Sequence, residues 1–327
     1  MLISVIFFAL IFEFMNGMRD AGNFVSAMVS THAISIRWAL FLTALAELCG
    51  PFLIGTKVAY TFSRGLIVPT QIHISVLLAA LISASIWNII TLIVRIPSSS
   101  SHALLGGLVG AVYAGADLSA LQITGVIKIL IGLVISPFLG FFVSFIFTKI
   151  IFLLSLRATP SINKYFRFSQ IITGITLAVS YGANDAQKSI GIISLALLVT
   201  GKIPSFSIPL WVIFLSAGTT ALGIGLGGWS MIKTMGHKFF NLRPIHGFAS
   251  QLSSVVVIIT ASLFGAPMSS SQVVTSSILG TGTADRKNMV RWRTANDIFG
   301  SWLITIPVSF FLGIGSYELL SILNLTH

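Results

Sequence analysis

The stretch YGANDAQKSIG, Tyr181–Gly191, lies between two apolar runs, QIITGITLAV before it and IISLALLV after it. Asn184, Asp185, Gln187 and Lys188 thus stand where lipid-soluble sequence should run on. A carboxylate at the centre of a bilayer costs about 2.5–3.5 kcal/mol on insertion scales, so such residues are kept where they face a protein interior and meet a partner. Gly182 supplies a position where the backbone tolerates strain. The segment therefore reads as a membrane helix broken near Gly182, with polar side chains gathered at the break.

The rest of the chain fits that reading. Of 327 residues, 55% are hydrophobic and only 8% charged, against about 25% charged in a soluble domain. Apolar segments of spanning length, roughly 20 residues, recur from end to end. The expected fold is an all-α polytopic membrane protein of about ten membrane segments. They fall near 2–32 (broken near Gly17), 38–62, 72–95, 98–115 and 120–154. The second set falls near 167–199 (broken near Gly182), 207–232, 245–265, 268–282 and 293–318. The short Ser-rich fourth members are crossings or re-entrant hairpins.

The net charge of +11 would suggest nucleic acid in a soluble chain. Here the basic residues sit in short loops, and no nucleic-acid partner is expected. One parity of loops collects most of them, including Arg37, Arg95, Lys149, Arg157, Lys233, Lys238 and Arg291. The other carries Lys57, Arg64 and Lys202. The positive-inside rule makes the first set cytoplasmic, which puts both termini on the extracytoplasmic side of a cell's inner membrane. The first basic residue is Arg19, so the N-terminus reads as a retained span rather than a signal peptide. Cys49 stands alone, which excludes an intrachain disulfide and a thiolate cluster.

The chain also repeats itself. NGMRDAGN (Asn16–Asn23) resembles YGANDAQK (Tyr181–Lys188), with Asp20 over Asp185, an offset of 165 residues. PSSSSHALLGGLVG (Pro97–Gly110) resembles PMSSSQVVTSSILG (Pro267–Gly280), an offset of 170. One duplication accounts for both pairs, giving a first repeat over 1–156 and a second over 157–327, joined near 155–166. Five crossings per repeat is an odd number, so the second repeat enters the membrane upside down. Inverted repeats with broken helices at the midplane mark secondary transporters.

Two kinds of chemistry follow. Asp20 and Asp185 suit ion coupling. A carboxylate with backbone carbonyls from an unwound stretch binds Na⁺, or the carboxylate carries a proton, and Gly17 and Gly182 would allow the unwinding. Asn184 beside Asp185, and Glu47 in AELCGP, join that group; Glu47 either lines the ion path or pairs with Arg19. The plainer reading is an ion pair that fixes helix packing. The serine clusters, Ser98–Ser101 and Ser269–Ser271, each follow a proline and open an apolar helix, where proline and serine are favoured. Two such helix starts facing one another, with their dipoles and free N–H groups, make a cradle for a tetrahedral oxyanion. The plainer reading here is capping and small-residue packing. His102 and Gln272 occupy matching positions after the clusters, and either can donate to an anion. Asn296 and Asp297 read as a helix cap. No HExxH, Walker-type or GxSxG motif is present, so no enzyme is expected. An anion channel and a non-transporting sensor remain as other classes.

At these residues the sequence resembles the inorganic phosphate transporter (PiT) family, in its compact bacterial form. The resemblance spans the whole chain and rests on both motif pairs. It implies secondary import of inorganic phosphate coupled to H⁺ or Na⁺, with no cofactor beyond that cation. It further implies that Asp20, Asn23 and Asp185, with Ser99, Ser100, Ser101, Ser269, Ser270 and Ser271, line the phosphate and cation sites. Asp20 and Asp185 would be metal ligands only if Na⁺ is the coupling ion. Sulfate permeases of the same family are the alternative. The expected partners are phosphate and the lipid bilayer, with a homodimer as a permitted assembly.

Overall fold

Large apolar side chains in this protein point outward. Phe138 is 59% exposed, Phe311 69% and Leu303 79%, while Asp20, Glu13, Glu47, Asn88 and Lys188 are buried. That inversion is what a lipid solvent selects: helices satisfy their own backbone groups, apolar faces meet acyl chains, and polar side chains turn inward.

The computed structural model describes residues 1–94, 98–227 and 242–325. Its helices are α1 (Leu2–Ser30), α2 (Ile36–Ile54), α3 (Lys57–Ser63), α4 (Ile74–Val94), α5 (Ser100–Gly115) and α6 (Ile123–Leu154). They continue as α7 (Ile162–Gly182), α8 (Ala186–Val199), α9 (Leu210–Gly227), α10 (Pro244–Leu263), α11 (Ser270–Asp285) and α12 (Trp292–Ile322). Among the described residues seven helices are long and apolar enough to cross a bilayer: α1, α2, α4, α6, α9, α10 and α12. α5 and α11 have 16 residues each. At 1.5 Å per residue they reach about 24 Å, short of a ~30 Å hydrocarbon core. Pro97, Arg95, Lys233 and Lys238 lie outside the described residues.

Three departures from the sequence reading have local causes. α1 runs unbroken through Gly17. A Cβ there would lie 2.1 Å from Thr220 O on α9, so this glycine permits a close helix crossing and no unwinding occurs. The second span does break, between Gly182 and Ala186, but as a tight turn: Asn184 N and Asp185 N both donate to Tyr181 O, at 2.9 and 2.7 Å. An unexpected break falls inside 38–62, at Gly55, whose φ of +94° few other residues adopt. Gln187 holds that break from α8. Its Nε2 donates to Gly55 O at 2.5 Å and its Oε1 accepts from Ala59 N at 3.0 Å, which caps the start of α3. Asn296 and Asp297 are not a cap either, because α12 begins at Trp292.

The packing pairs elements far apart in sequence. α5 lies along α12 and α11 along α6; α1 lies along α9 and α7 along α2. Glycines set several of these distances. A Cβ on Gly110 of α5 would meet Phe310 O of α12 at 2.0 Å, and one on Gly280 of α11 would meet Phe141 O of α6 at 2.2 Å. Two core clusters result. One is built on α4, α5 and α8, the other on α1, α7, α10 and α11, and the charged residues lie in the same interior.

Candidate functional site

The two serine clusters meet. Ser99 is the N-cap of α5 and Ser269 the N-cap of α11, and their hydroxyls stand 2.8 Å apart across 170 residues of chain. Ser99 Oγ also accepts from His102 N at 3.3 Å. Ser269 N donates to Ser136 Oγ of α6 at 3.1 Å, while Ser98 Oγ meets Thr305 Oγ1 of α12 at 2.9 Å. Ser271 Oγ is 3.5 Å from Ser269 Oγ, and Ser100 is buried beside them. Ser270 Oγ is buried without a hydrogen-bond partner. Two helix starts thus abut in the interior; the His102 N–H is capped by Ser99 and the Ser269 N–H by Ser136, and the hydroxyls and the positive ends of the two helix dipoles make the place suited to an anion.

His102 and Gln272 also meet, with Gln272 Nε2 3.3 Å from His102 Nδ1. Both line a crevice walled by Pro137, Phe138, Trp302 and Leu303. Their side chains engage each other beside lipid-facing helices.

The broken helix delivers Asp185 and Lys188 to this junction. Lys188 Nζ donates to Asp185 Oδ1 in a short ion pair, to Ser101 Oγ at 2.5 Å and to Met268 O at 3.2 Å. Asp185 Oδ2 is buried and has no partner. Asn184 is fully occupied as a clip. Its Nδ2 donates to Ser262 Oγ at 3.1 Å and to Ala266 O at 3.4 Å, and its Oδ1 accepts from Met268 N at 3.2 Å. It fixes the chain that leads into α11.

Asp20 sits on unbroken α1. Its Oδ1 accepts from Asn23 Nδ2 at 3.2 Å and lies 3.8 Å from Arg19 Nε. The pairing of Arg19 with Glu47 does not form. The Arg19 guanidinium goes instead to Asn88 Oδ1 at 3.0 Å and Asn16 Oδ1 at 3.3 Å, with Asn88 Nδ2 closing the triangle onto Asn16 at 2.9 Å. Those neutral acceptors lie on α1 and α4, which α1 packs against, so they reach the guanidinium first. Glu47 is left fully buried with neither carboxylate oxygen hydrogen-bonded. Its backbone carbonyl lies where a Cβ on Gly182 would approach to 2.0 Å, so the residue packs directly on the helix break.

One carboxylate escaped the sequence reading. Glu13 is fully buried on α1 and accepts from Thr220 Oγ1 of α9 at 2.8 Å. The signal that finds it is its spacing of seven residues from Asp20, two turns along the same helix face. Glu47 lies within electrostatic range of Glu13, Asp20 and Asp185, and Asp20 feels both Arg19 and Lys188. Four carboxylates and two cations therefore share one interior. Packing alone does not explain them, since well-packed apolar residues commonly replace a buried ion pair at no loss of stability. Among the described residues no group of three or more His, Cys, Asp or Glu side chains is arranged for a metal ion. A monovalent cation here would draw on hydroxyl and carbonyl oxygens as well as a carboxylate.

Fold and site define a polytopic helical membrane protein with charged and hydroxyl side chains gathered in its interior. The model of the phosphate transporter family matches residues 16–163 and 154–313, and the chain belongs to that family. It is 38% identical to a probable low-affinity inorganic phosphate transporter of Bacillus subtilis (strain 168), over 98% of this chain and 97% of that one. It is 37% identical to a protein of the same description from Rhizobium meliloti (strain 1021), over 94% and 93%. A solved structure described as the sodium-dependent phosphate transporter superposes with a TM-score of 0.88 over 98% of this chain and 99% of that one, at 22% identity, which shows the shared fold. These relatives are named for phosphate, and the sulfate alternative finds no support among them.

Proposed function

We propose that this protein is a secondary transporter that imports inorganic phosphate together with H⁺ or Na⁺. The observation that carries the reading is Lys188, which ties the Asp185 carboxylate to the Ser101 hydroxyl at the start of α5. Candidate anion donors and a candidate coupling carboxylate are therefore parts of one cluster. The paired helix starts, through Ser99–Ser101 and Ser269–Ser271, bind the tetrahedral anion, with Asn23, Gln272 and His102 at the margin. Asp20, Asp185 and Glu47 hold the coupling cation and Asn184 positions the loop beside them. The sodium dependence of the solved neighbour keeps Na⁺ level with H⁺ as the coupling ion.

Two repeats of opposite topology, 1–156 and 157–327, making ten membrane segments with both termini outside, complete the proposal. Matched contacts support it. Gly17 abuts Thr220 O at 2.1 Å as Gly182 abuts Glu47 O at 2.0 Å, and Gly110 and Gly280 abut Phe310 O and Phe141 O at 2.0 and 2.2 Å. Residues matched in sequence, Ser99 with Ser269 and His102 with Gln272, touch each other, as residues beside a two-fold axis do. Rocking of one part against the other then exposes the site to each side in turn.

The test is radiolabelled phosphate uptake into proteoliposomes under imposed pH and Na⁺ gradients. Uptake driven by one gradient and abolished in Asp20→Asn and Asp185→Asn is expected. Uptake that ignores both gradients and carries large currents would make this a channel, and binding without uptake would make it a sensor. Full coupled activity in both aspartate variants would remove the coupling assignment.

A further inference from the structure

Among the described residues Lys188 is the one full cation placed directly against the candidate anion cradle, and its surroundings resemble a cation site more than a helix brace. An ammonium has three N–H groups, and here each has an oxygen: Asp185 Oδ1, Ser101 Oγ and Met268 O. A carboxylate, a hydroxyl and a main-chain carbonyl beside a helix break form the hard-oxygen set that a small monovalent ion takes in transporters with broken helices. The three oxygens come from the turn before α8, the first turn of α5 and the strand of chain ahead of α11. The side chain is only 1% exposed, and its covalent tether keeps the ammonium from leaving the site as a free ion would.

The matched position in the first half differs in one decisive way. Asn23 stands where Lys188 stands, and it offers Asp20 a neutral amide at 3.2 Å. Ser98 and Ser271 correspond in sequence to Met268 and Ser101. The nearest cation to Asp20 is Arg19, whose Nε is 3.8 Å away, beyond hydrogen-bonding distance, and whose terminal nitrogens are committed to Asn88 and Asn16. One half thus holds a carboxylate with a tethered ammonium, and the other a carboxylate whose matched neighbour is a neutral amide.

We propose that the Lys188 ammonium is a built-in cation that fills one of two matched cation positions. This narrows the coupling set above: Asp185 holds the tethered ammonium, and the free coupling ion binds beside Asp20, with Glu47 in electrostatic range. The inference rests on the transport reading above and adds a stoichiometric consequence: one bound ion drives the cycle where a symmetric protein would need two. An ion pair that merely braced α8 against α5 would leave the cation dependence of transport untouched when changed, which separates the two roles.

The experiment measures the initial rate of phosphate uptake in proteoliposomes against the concentration of whichever cation drives the wild type. In the low-cation range, a tenfold rise in cation should raise the wild-type rate about tenfold, and that of Lys188→Asn about a hundredfold, because a second ion must then bind by mass action. Lys188→Asn with the wild-type dependence would overturn the inference. A second variant covers the case in which the freed Asp185 prevents folding or transport. Asp185→Asn/Lys188→Asn removes both charges together and should restore the uptake lost in Asp185→Asn, with the wild-type single-ion dependence. A double variant as inactive as Asp185→Asn alone would overturn it too. Wild-type liposomes without any cation-driven uptake would defeat the transport reading itself, whereas a coupled wild type with an unchanged Lys188→Asn defeats only the built-in cation.

Discussion

Gly110→Ala and Gly280→Ala should destabilise the protein by nearly equal amounts, although they lie on different helices 170 residues apart. The methyl added at Gly110 would sit 2.0 Å from Phe310 O, and that at Gly280 2.2 Å from Phe141 O. Real Cβ contacts essentially never fall below 3.0 Å, so each helix pair must open by about 1 Å. The opposing atom is a backbone carbonyl and has no rotamer to yield. Overpacking of this kind costs about 1–3 kcal/mol, and a carbonyl clash belongs at the upper end. Alanine returns up to about 1 kcal/mol of helix propensity, leaving a net loss of about 2 kcal/mol. An unfolding entropy of about 2.1 cal/mol/K per residue over 327 residues gives about 1.5 °C per kcal/mol, so each variant should unfold about 3 °C below the wild type. Gly300→Ala, on the same α12 as Phe310, meets nothing within 4 Å and should be neutral to stabilising by up to about 1 kcal/mol. The assay is thermal unfolding in detergent, followed by labelling of Cys49 with a thiol-reactive dye at one fixed scan rate, since membrane proteins seldom refold on cooling. Loss in one glycine variant and none in the other would refute the matched packing. A loss in Gly300→Ala as large as in either would refute the carbonyl clash as its cause.

Further outcomes follow from the buried polar groups. Asn88→Ala removes the best acceptor of the Arg19 guanidinium and should cost about 1.5–3 kcal/mol of stability, read in the same thermal assay; Asn88→Asp should recover most of it. Ser99→Ala and Ser269→Ala each delete one hydroxyl from the junction of helix starts. A hydrogen bond of about 1–1.4 kcal/mol corresponds to a rise of about five- to tenfold in the phosphate concentration for half-maximal uptake, with expression unchanged. Glu47→Gln removes a buried carboxylate that has no hydrogen-bond partner, so folding yield should hold or improve while uptake loses its response to the driving cation; unchanged coupling would take Glu47 out of the ion path. Gln187→Ala uncaps α3 at the Gly55 break and should lower stability by about 1 kcal/mol, seen as faster proteolysis at that break.

Much of this architecture was legible along the chain because lipid acts on each segment separately. A span must be apolar whatever it packs against, so hydropathy located most helices, and the acidic interruption at Asn184–Lys188 marked the break in the second long span. Self-similarity paired Asp20 with Asp185 and the two serine runs with one another without any knowledge of contacts. The same locality set the limit. Gly17 and Gly182 look alike in sequence, yet α1 runs straight and α7 stops, because a glycine serves equally to bend a backbone and to admit a neighbouring helix. Spans apolar all round carry little periodic signal about which face turns inward, so Glu13 passed unnoticed and Glu47 stood undecided between the ion path and Arg19.

What the sequence determined by itself was the solvent of the fold, the recurrence of two motif pairs and the residues too polar to be accidental in lipid. What only the tertiary structure decided was who meets whom. Ser99 reaches Ser269, Lys188 gathers its three oxygens from three separate segments, and Asn184 is spent on a loop while Arg19 turns to Asn88. The reason is that a membrane interior charges every polar atom for isolation, and the partner that relieves it is chosen by helix packing, which couples residues far apart in the chain.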